Sequence, residues 1–196
     1  MGKQLDIALR FTLLTTLLLG LGYPLLVTVL AQTFWKQQAN GELIMQQGTL
    51  IGSRWIGQPF HGAAYFHSRP SAAGNGYDAT ASGGSNWSPS SARLASRVQA
   101  AVTAEQIGSA PVPVDLVTAS GSGLDPDITP AAAQYQAARV AVARHATLAQ
   151  VQQLIDRNTD QRQFGLLGEP RVHVLALNLD LDREFPLPQP LPQPRP

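Results

Sequence analysis

The sequence predicts an α+β protein: one N-terminal transmembrane helix followed by a single small mixed α/β extracytoplasmic domain. Three observations lead there. The run from Phe11 to Trp35 carries no charged residue. The chain beyond it mixes short, glycine-punctuated β-prone stretches with well-capped helical segments, without regular βαβ alternation or internal repeats. The 196 residues then leave room for one domain, large enough to fold without disulfide or metal staples.

The run is apolar on every face, which argues against a buried soluble helix. At 1.5 Å per residue it spans roughly 37 Å, against the ~30 Å hydrocarbon layer. Gly20, Gly22 and Pro24 would be costly in a soluble helix but are tolerated in a membrane, and the two glycines allow a neighbouring helix to approach. Phe34 and Trp35 stand where an interfacial aromatic belt belongs. A cleavable signal peptide, with Val29-Leu30-Ala31 as its cleavage site, would have a shorter apolar core of about 7–15 residues. Lys3 and Arg10 precede the span, and only Lys36 follows before Arg54. This bias favours an inside N-terminus. The expected organisation is a cytoplasmic stub at 1–10, the transmembrane helix at 11–35, an extracytoplasmic domain at 36–185 and a proline-rich tail at 186–196.

Within the domain, residues 42–57 read as short strands with glycine turns. Residues 58–88 form a long irregular segment rich in Gly, Ser, Ala and Asn. Its aromatic residues Tyr65, Phe66, Tyr77 and Trp87 argue that it is ordered, and long ordered loops are usually functional. Ser88 as N-cap and Pro89 in the first turn predict a helix with Leu94, Val98, Ala101 and Val102 on its apolar stripe. Residues 112–118 read as a short edge strand, followed by a glycine loop from Ala119 to Asp127. Thr129-Pro130 opens a second helix that turns Ala133, Ala137, Val140 and Ala141 inward. Thr147 to Gln150 is a capping box and starts a third, with Val151, Leu154 and Ile155 facing the core. Residues 171–181 read as a late central strand. Six of the last eleven residues are proline, which predicts an extended or disordered tail.

Composition excludes several chemistries. A net charge of +1 gives no electrostatic basis for binding nucleic acid. The absence of cysteine removes thiol nucleophiles, Cys-ligated zinc and iron–sulfur clusters. No phosphate loop with its Lys, no Gly-x-Ser-x-Gly elbow and no His-Glu-x-x-His motif occurs. His61 and His67 are six apart in a loop, without a metal-ligand pattern. No carboxylate pair suggests acid–base work. An anchored hydrolase using Ser71, Ser82, Ser85, Ser120 or Ser122 is therefore disfavoured. What stands out is a set of polar loop segments: Arg69 and Ser71; Tyr77 and Asp78; Ser82, Gly83, Gly84, Ser85 and Asn86; and Asp115, Ser120, Ser122 and Asp125. Gln136 and Arg139 follow on the next helix. Such segments permit close backbone approach and dense hydrogen bonding, as candidate partner contacts or as loops fastened to one another.

These segments resemble the KdpC family, the C subunit of the bacterial potassium-transporting P-type ATPase. The carriers are Phe66-His67-Ser68-Arg69-Pro70-Ser71, Tyr77-Asp78, Ser82-Gly83-Gly84-Ser85-Asn86, and Asp115 to Pro126. Gln136 with Arg139-Val140-Ala141, Gly168-Glu169-Pro170-Arg171-Val172, and Leu175-Ala176-Leu177-Asn178 add to them. Asp127 and Thr129 depart from the family's common His and Ser, and His173 from its common Asn. The resemblance implies a non-catalytic accessory subunit in the bacterial cytoplasmic membrane, with no cofactor of its own. ATP and potassium enter at the level of the complex. The implied partners are a channel-like potassium-translocating subunit, a P-type ATP-hydrolysing subunit and a small membrane subunit. The family is also described as raising the ATP affinity of the hydrolysing subunit. The charge bias opposes direct nucleotide contact, because it puts the domain outside while ATP is inside. The alternative from another class is a stand-alone anchored binding or envelope protein.

Overall fold

The computed structural model describes residues 2–46 and 48–187. The chain divides into two compact units, residues 1–43 and 44–196. The proline tail expected from 186 onward falls almost wholly outside the described residues.

The first unit is helical. Helix α1 (Gly2–Thr15) passes into a π-helical stretch (Thr16–Gly22) and then α2 (Tyr23–Phe34), with no buried residue in any of them. The 33-residue span Gly2–Phe34 is long and apolar enough to cross a membrane. It begins well before Phe11, so the expected stub continues the helix. The widened turns end just before Pro24, whose missing N–H and bulky ring disturb the regular ladder behind it. Thr15 and Thr33 return their hydroxyls to Phe11 O and Val29 O, at 2.8 and 2.7 Å. A short helix, α3 (Lys36–Ala39), follows.

The second unit opens with strands β1 (Leu43–Gln46) and β2 (Thr49–Ser53), paired as a two-stranded sheet. Residues 58–88 are irregular, as the sequence predicts, yet Phe66 is fully buried. Helix α4 (Ala92–Glu105) starts later than expected. Its N-cap is Ser91, while Ser88 and Ser90 bond each other's hydroxyls at 2.9 Å in the preceding turn. The expected strand at 112–118 is instead a single 3₁₀ turn, Val114–Leu116. Leu116 is buried there while Val114 remains exposed, and the turn is closed by Val117 N donating to Val114 O at 3.2 Å.

Strand β3 (Asp127–Ile128) leads into α5 (Pro130–Ala143), capped by Thr129, and then α6 (Leu148–Arg157) with the predicted Thr147–Gln150 capping box. Strands β4 (Thr159–Asp160) and β5 (Arg171–His173) complete a three-stranded antiparallel sheet in the order β3–β5–β4, with Ile128 opposite Val172 and Thr159 opposite Val172. The late strand is thus central, but it ends at His173. Helix α7 (Val174–Glu184) takes the rest. His173 Nδ1 accepts from Ala176 N at 3.1 Å and starts that helix. Val174, Leu177, Asn178 and Leu181 then share its buried face. The core gathers Phe66, Leu116, Ile128, the alanines and Val140 of α5, Val151, Leu154 and Ile155 of α6, Val172, and Val174, Leu177 and Leu181. Alanines 132, 133, 137 and 141 bring α5 close to its neighbours, and α5 packs directly on α6.

Candidate functional site

The irregular segment is fastened to the helices by side chains that replace a strand partner. On α7, Asn178 Oδ1 accepts from Phe66 N at 2.9 Å and its Nδ2 donates to Phe66 O at 3.0 Å. On α5, Gln136 Oε1 accepts from His67 N at 2.7 Å and its Nε2 donates to His67 O at 3.3 Å. Two buried amides thus hold two consecutive residues. Arg139 donates to Gly62 O, Ala63 O and Tyr65 O at 3.1, 2.8 and 3.1 Å, and to Gln136 Oε1 at 2.7 Å. Burial pulls its guanidinium below the ordinary arginine range, against the opposing charge of Glu105. Arg144, with its side chain 0% exposed, donates to Ala64 O and Phe185 O and lies over the Tyr65 ring at 4.6 Å. Its Nη2 is 2.7 Å from Asp182 Oδ1 but lacks the alignment of a hydrogen bond. His67 sits between Glu105 Oε1, at 2.8 Å from Nδ1, and Gly62 O, at 3.0 Å from Nε2.

The glycine loops form a second knot. Arg69 Nη1 donates to Asp125 Oδ2 at 3.0 Å and joins the first loop to the last. Ser71 Oγ accepts from Ala73 N and Tyr77 N at 3.1 and 2.7 Å, and Tyr77 returns its hydroxyl to Arg69 O at 2.6 Å. Desolvation first, and the Glu105 charge second, push the Tyr77 phenol up to about 12. Ser82 Oγ and Gly83 N both donate to Ser122 O, at 3.0 and 2.8 Å. Ser122 Oγ accepts from Leu124 N at 3.1 Å and lies 3.4 Å from Ser120 Oγ. Gly123 has φ +68°, and a Cβ there would meet Gly83 O at 2.6 Å and Ala73 N at 2.7 Å. Gly84 runs beside Gly121, where a Cβ would stand 3.2 Å from the carbonyl. These glycines are required by backbone packed on backbone.

Other expected residues lie apart. Asp115 Oδ2 accepts from Thr129 N at 2.7 Å at the start of α5. Asp78 turns outward onto Thr80, whose hydroxyl and amide hold its carboxyl below the usual range. Asn86 is exposed with φ +52°. Ser85 lines a polar cleft of about 420 Å³ with Ser71, Asn75, Trp87 and Arg97. Arg97 donates to Ser71 O at 2.8 Å and lies 5.8 Å from the Trp87 ring centre. A second cleft, of about 280 Å³, runs between Arg69, Asp115, Asp125, Asp127 and Arg171. Asp127 pairs with Arg171 at 3.1 Å. Burial nevertheless drives its carboxyl upward against the pull of His173 and Arg171. Gly20, Gly22 and Pro24 belong to the helical unit.

The anchors that the sequence reading passed over are Glu105, Arg144 and the amide of Asn178. Arg144 was legible in principle: it extends the buried face Ala137, Val140 and Ala141 by one turn. Asn178 was hidden by reading 171–181 as a strand. Two departures from the resemblance have simple physical accounts. Thr129 caps α5 as Ser would, and His173 caps α7 as Asn would.

Chemically the site is closed. Among the described residues, the hydrogen bonds of Ser71, Ser82, Ser120 and Ser122 run to one another or to the backbone, and none of those bonds is to a histidine or a carboxylate. Nor does any group of three or more His, Asp or Glu assemble to hold a metal among those residues.

The model of the K+-transporting ATPase c chain, KdpC, matches residues 5–183. The potassium-transporting ATPase KdpC subunit of Acidobacterium capsulatum is 62% identical over 177 residues, covering 90% of this chain and 96% of the relative. The KdpC subunits of Koribacter versatilis and Methylococcus capsulatus are each 56% identical, over 181 and 177 residues. They cover 91% and 88% of this chain, and 94% and 93% of the relatives.

Proposed function

Because the chain belongs to the KdpC family of potassium-transporting ATPases, we propose that it anchors and completes an ATP-driven potassium importer from the outer face of the cytoplasmic membrane. It is an accessory subunit of that transporter, not the subunit that hydrolyses ATP. Its helix docks on the channel-like subunit through the Gly20–Gly22 stretch. Its domain caps the potassium entrance and stabilises the assembly with the P-type and small membrane subunits.

The observation that carries this reading is the mutual fastening of the polar loops. Their donors and acceptors are spent on Ser122 O, Asp125 and the helix amides, which makes a preorganised, nearly neutral surface. Such a surface docks with little ordering cost. Ser82 to Asn86 resembles a phosphate-cradling loop in composition only. Gly83 N already serves Ser122 O, and no lysine lies between Lys36 and the C-terminus. The excess of Lys3 and Arg10 over Lys36 supports the outer placement.

Labelling tests the placement. The chain has no cysteine, so Ser96→Cys on the exposed side of α4 gives one reactive site. A membrane-impermeant thiol reagent is expected to label it in intact cells. Labelling only after lysis would put the domain inside, overturn the capping role and favour contact with the nucleotide-binding subunit. Co-purification with the other transporter subunits is expected as well. A chain that never co-purifies would point to the stand-alone envelope protein.

A further inference from the structure

We propose that the hairpin Gln163–Leu167 is a lipid-docking finger, which sets its apolar tip into the interfacial layer of the bilayer that anchors the chain. Phe164 is 93% exposed, Leu166 79% and Leu167 60%. They stand together on one projecting turn, whereas single exposed apolar residues elsewhere need no explanation. Phe164 holds φ +54° and Gly165 φ +73°. A bulky side chain rarely adopts that conformation, and here it points Phe164 at no partner within the domain.

The backbone of the finger is partly paired within the turn. Gln163 N donates to Leu167 O and Leu167 N to Gln163 O, each at 2.9 Å. Leu166 N donates to Gln163 O and Gly165 N to Arg162 O, each at 3.1 Å. These bonds pair four of the finger's N–H groups, and its remaining polar groups stay in the hydrated headgroup layer. At the base, Arg162 pairs with Glu169 at 2.5 Å, so charge is balanced below an uncharged tip.

Two further observations favour lipid over a protein groove. Three side chains fall far short of the ~800 Å² per partner that a stable protein interface buries. The tether is also short: residues 36–42 alone separate Trp35 from β1, at most roughly 25 Å when extended, and four of them coil into α3. A tether of that length keeps the start of the domain within reach of the bilayer surface. The finger grows from beside the first elements that the tether reaches. Arg54, just after β2, pairs with Asp160 of β4 at 3.5 Å, and its carbonyl accepts from His173 Nε2 at 2.6 Å. Met45, Leu50 and Trp55 of that same segment are also exposed.

The test uses the full chain in phosphatidylcholine vesicles, since a neutral finger needs no anionic lipid. Phe164→Cys carries an environment-sensitive fluorophore, and Ser96→Cys on α4 is the control. The label at 164 is expected to shift to the blue and to be quenched by spin-labelled lipid about threefold or more beyond the control. Leu166→Cys repeats the measurement at a second position. Equal, water-like emission at 164, 166 and 96 would overturn the proposal. Shielding that arises only when the other transporter subunits are added would overturn it too, by making a protein the occupant.

Discussion

The side chain of Asn178 takes both hydrogen bonds of the Phe66 backbone, at 2.9 and 3.0 Å, as a neighbouring strand would. This places the one fully buried aromatic of the irregular segment against α7. Asn178→Leu keeps the volume but leaves a buried N–H and C=O unpaired. It is expected to cost about 2–4 kcal/mol. Thermal unfolding in detergent measures the loss, and limited proteolysis should cut first within 58–88.

Gly123 and Gly121 make a matched pair. At Gly123 the positive φ and the carbonyl of Gly83 both oppose a side chain, whereas a Cβ at Gly121 meets nothing within 4 Å. Gly123→Ala is expected to destabilise by at least about 1 kcal/mol, and Gly121→Ala to change stability by under about 0.5 kcal/mol. Equal melting temperatures for the two variants would contradict the backbone-on-backbone account.

His173 joins two structures through one ring, capping α7 with Nδ1 and donating from Nε2 to Arg54 O. His173→Ala is expected to lose about 1 kcal/mol from the cap alone. His173→Asn should recover the cap while losing the bond to the Arg54 carbonyl. Its melting temperature is therefore expected between those of wild type and the alanine variant.

Tyr77 should titrate late. Its phenol is raised from 10.0 to about 12 by burial and by Glu105. The folded state therefore holds this proton more tightly than the unfolded state. The associated stability is complete below about pH 10 and is lost as the pH rises from 10 toward 12. Absorbance of phenolate against pH should show one late step. Tyr77→Phe should remove that step and flatten the loss of stability over the same window.

The sequence by itself determined the elements whose signals are local. A long apolar N-terminal helix, the Thr129 and Thr147 caps and the apolar stripes of α5 and α6 are all present as the sequence predicts, because caps and helical periodicity act over a few residues. The family resemblance was also legible, since its loop motifs occur in fixed order. Tertiary structure decided the rest. Residues 171–181 carry both a two-residue and a 3.6-residue apolar pattern, and the helix prevailed beyond His173 because the ring caps it and Asn178 is needed on its inner face. Val114 to Leu116 turned rather than extended because Leu116 enters the core. The roles of Gln136, Asn178, Arg139 and Arg144 could not be read from spacing. The loop backbone they hold lies 69 to 112 residues away, and a polar side chain declares its partner only when burial removes water as the alternative.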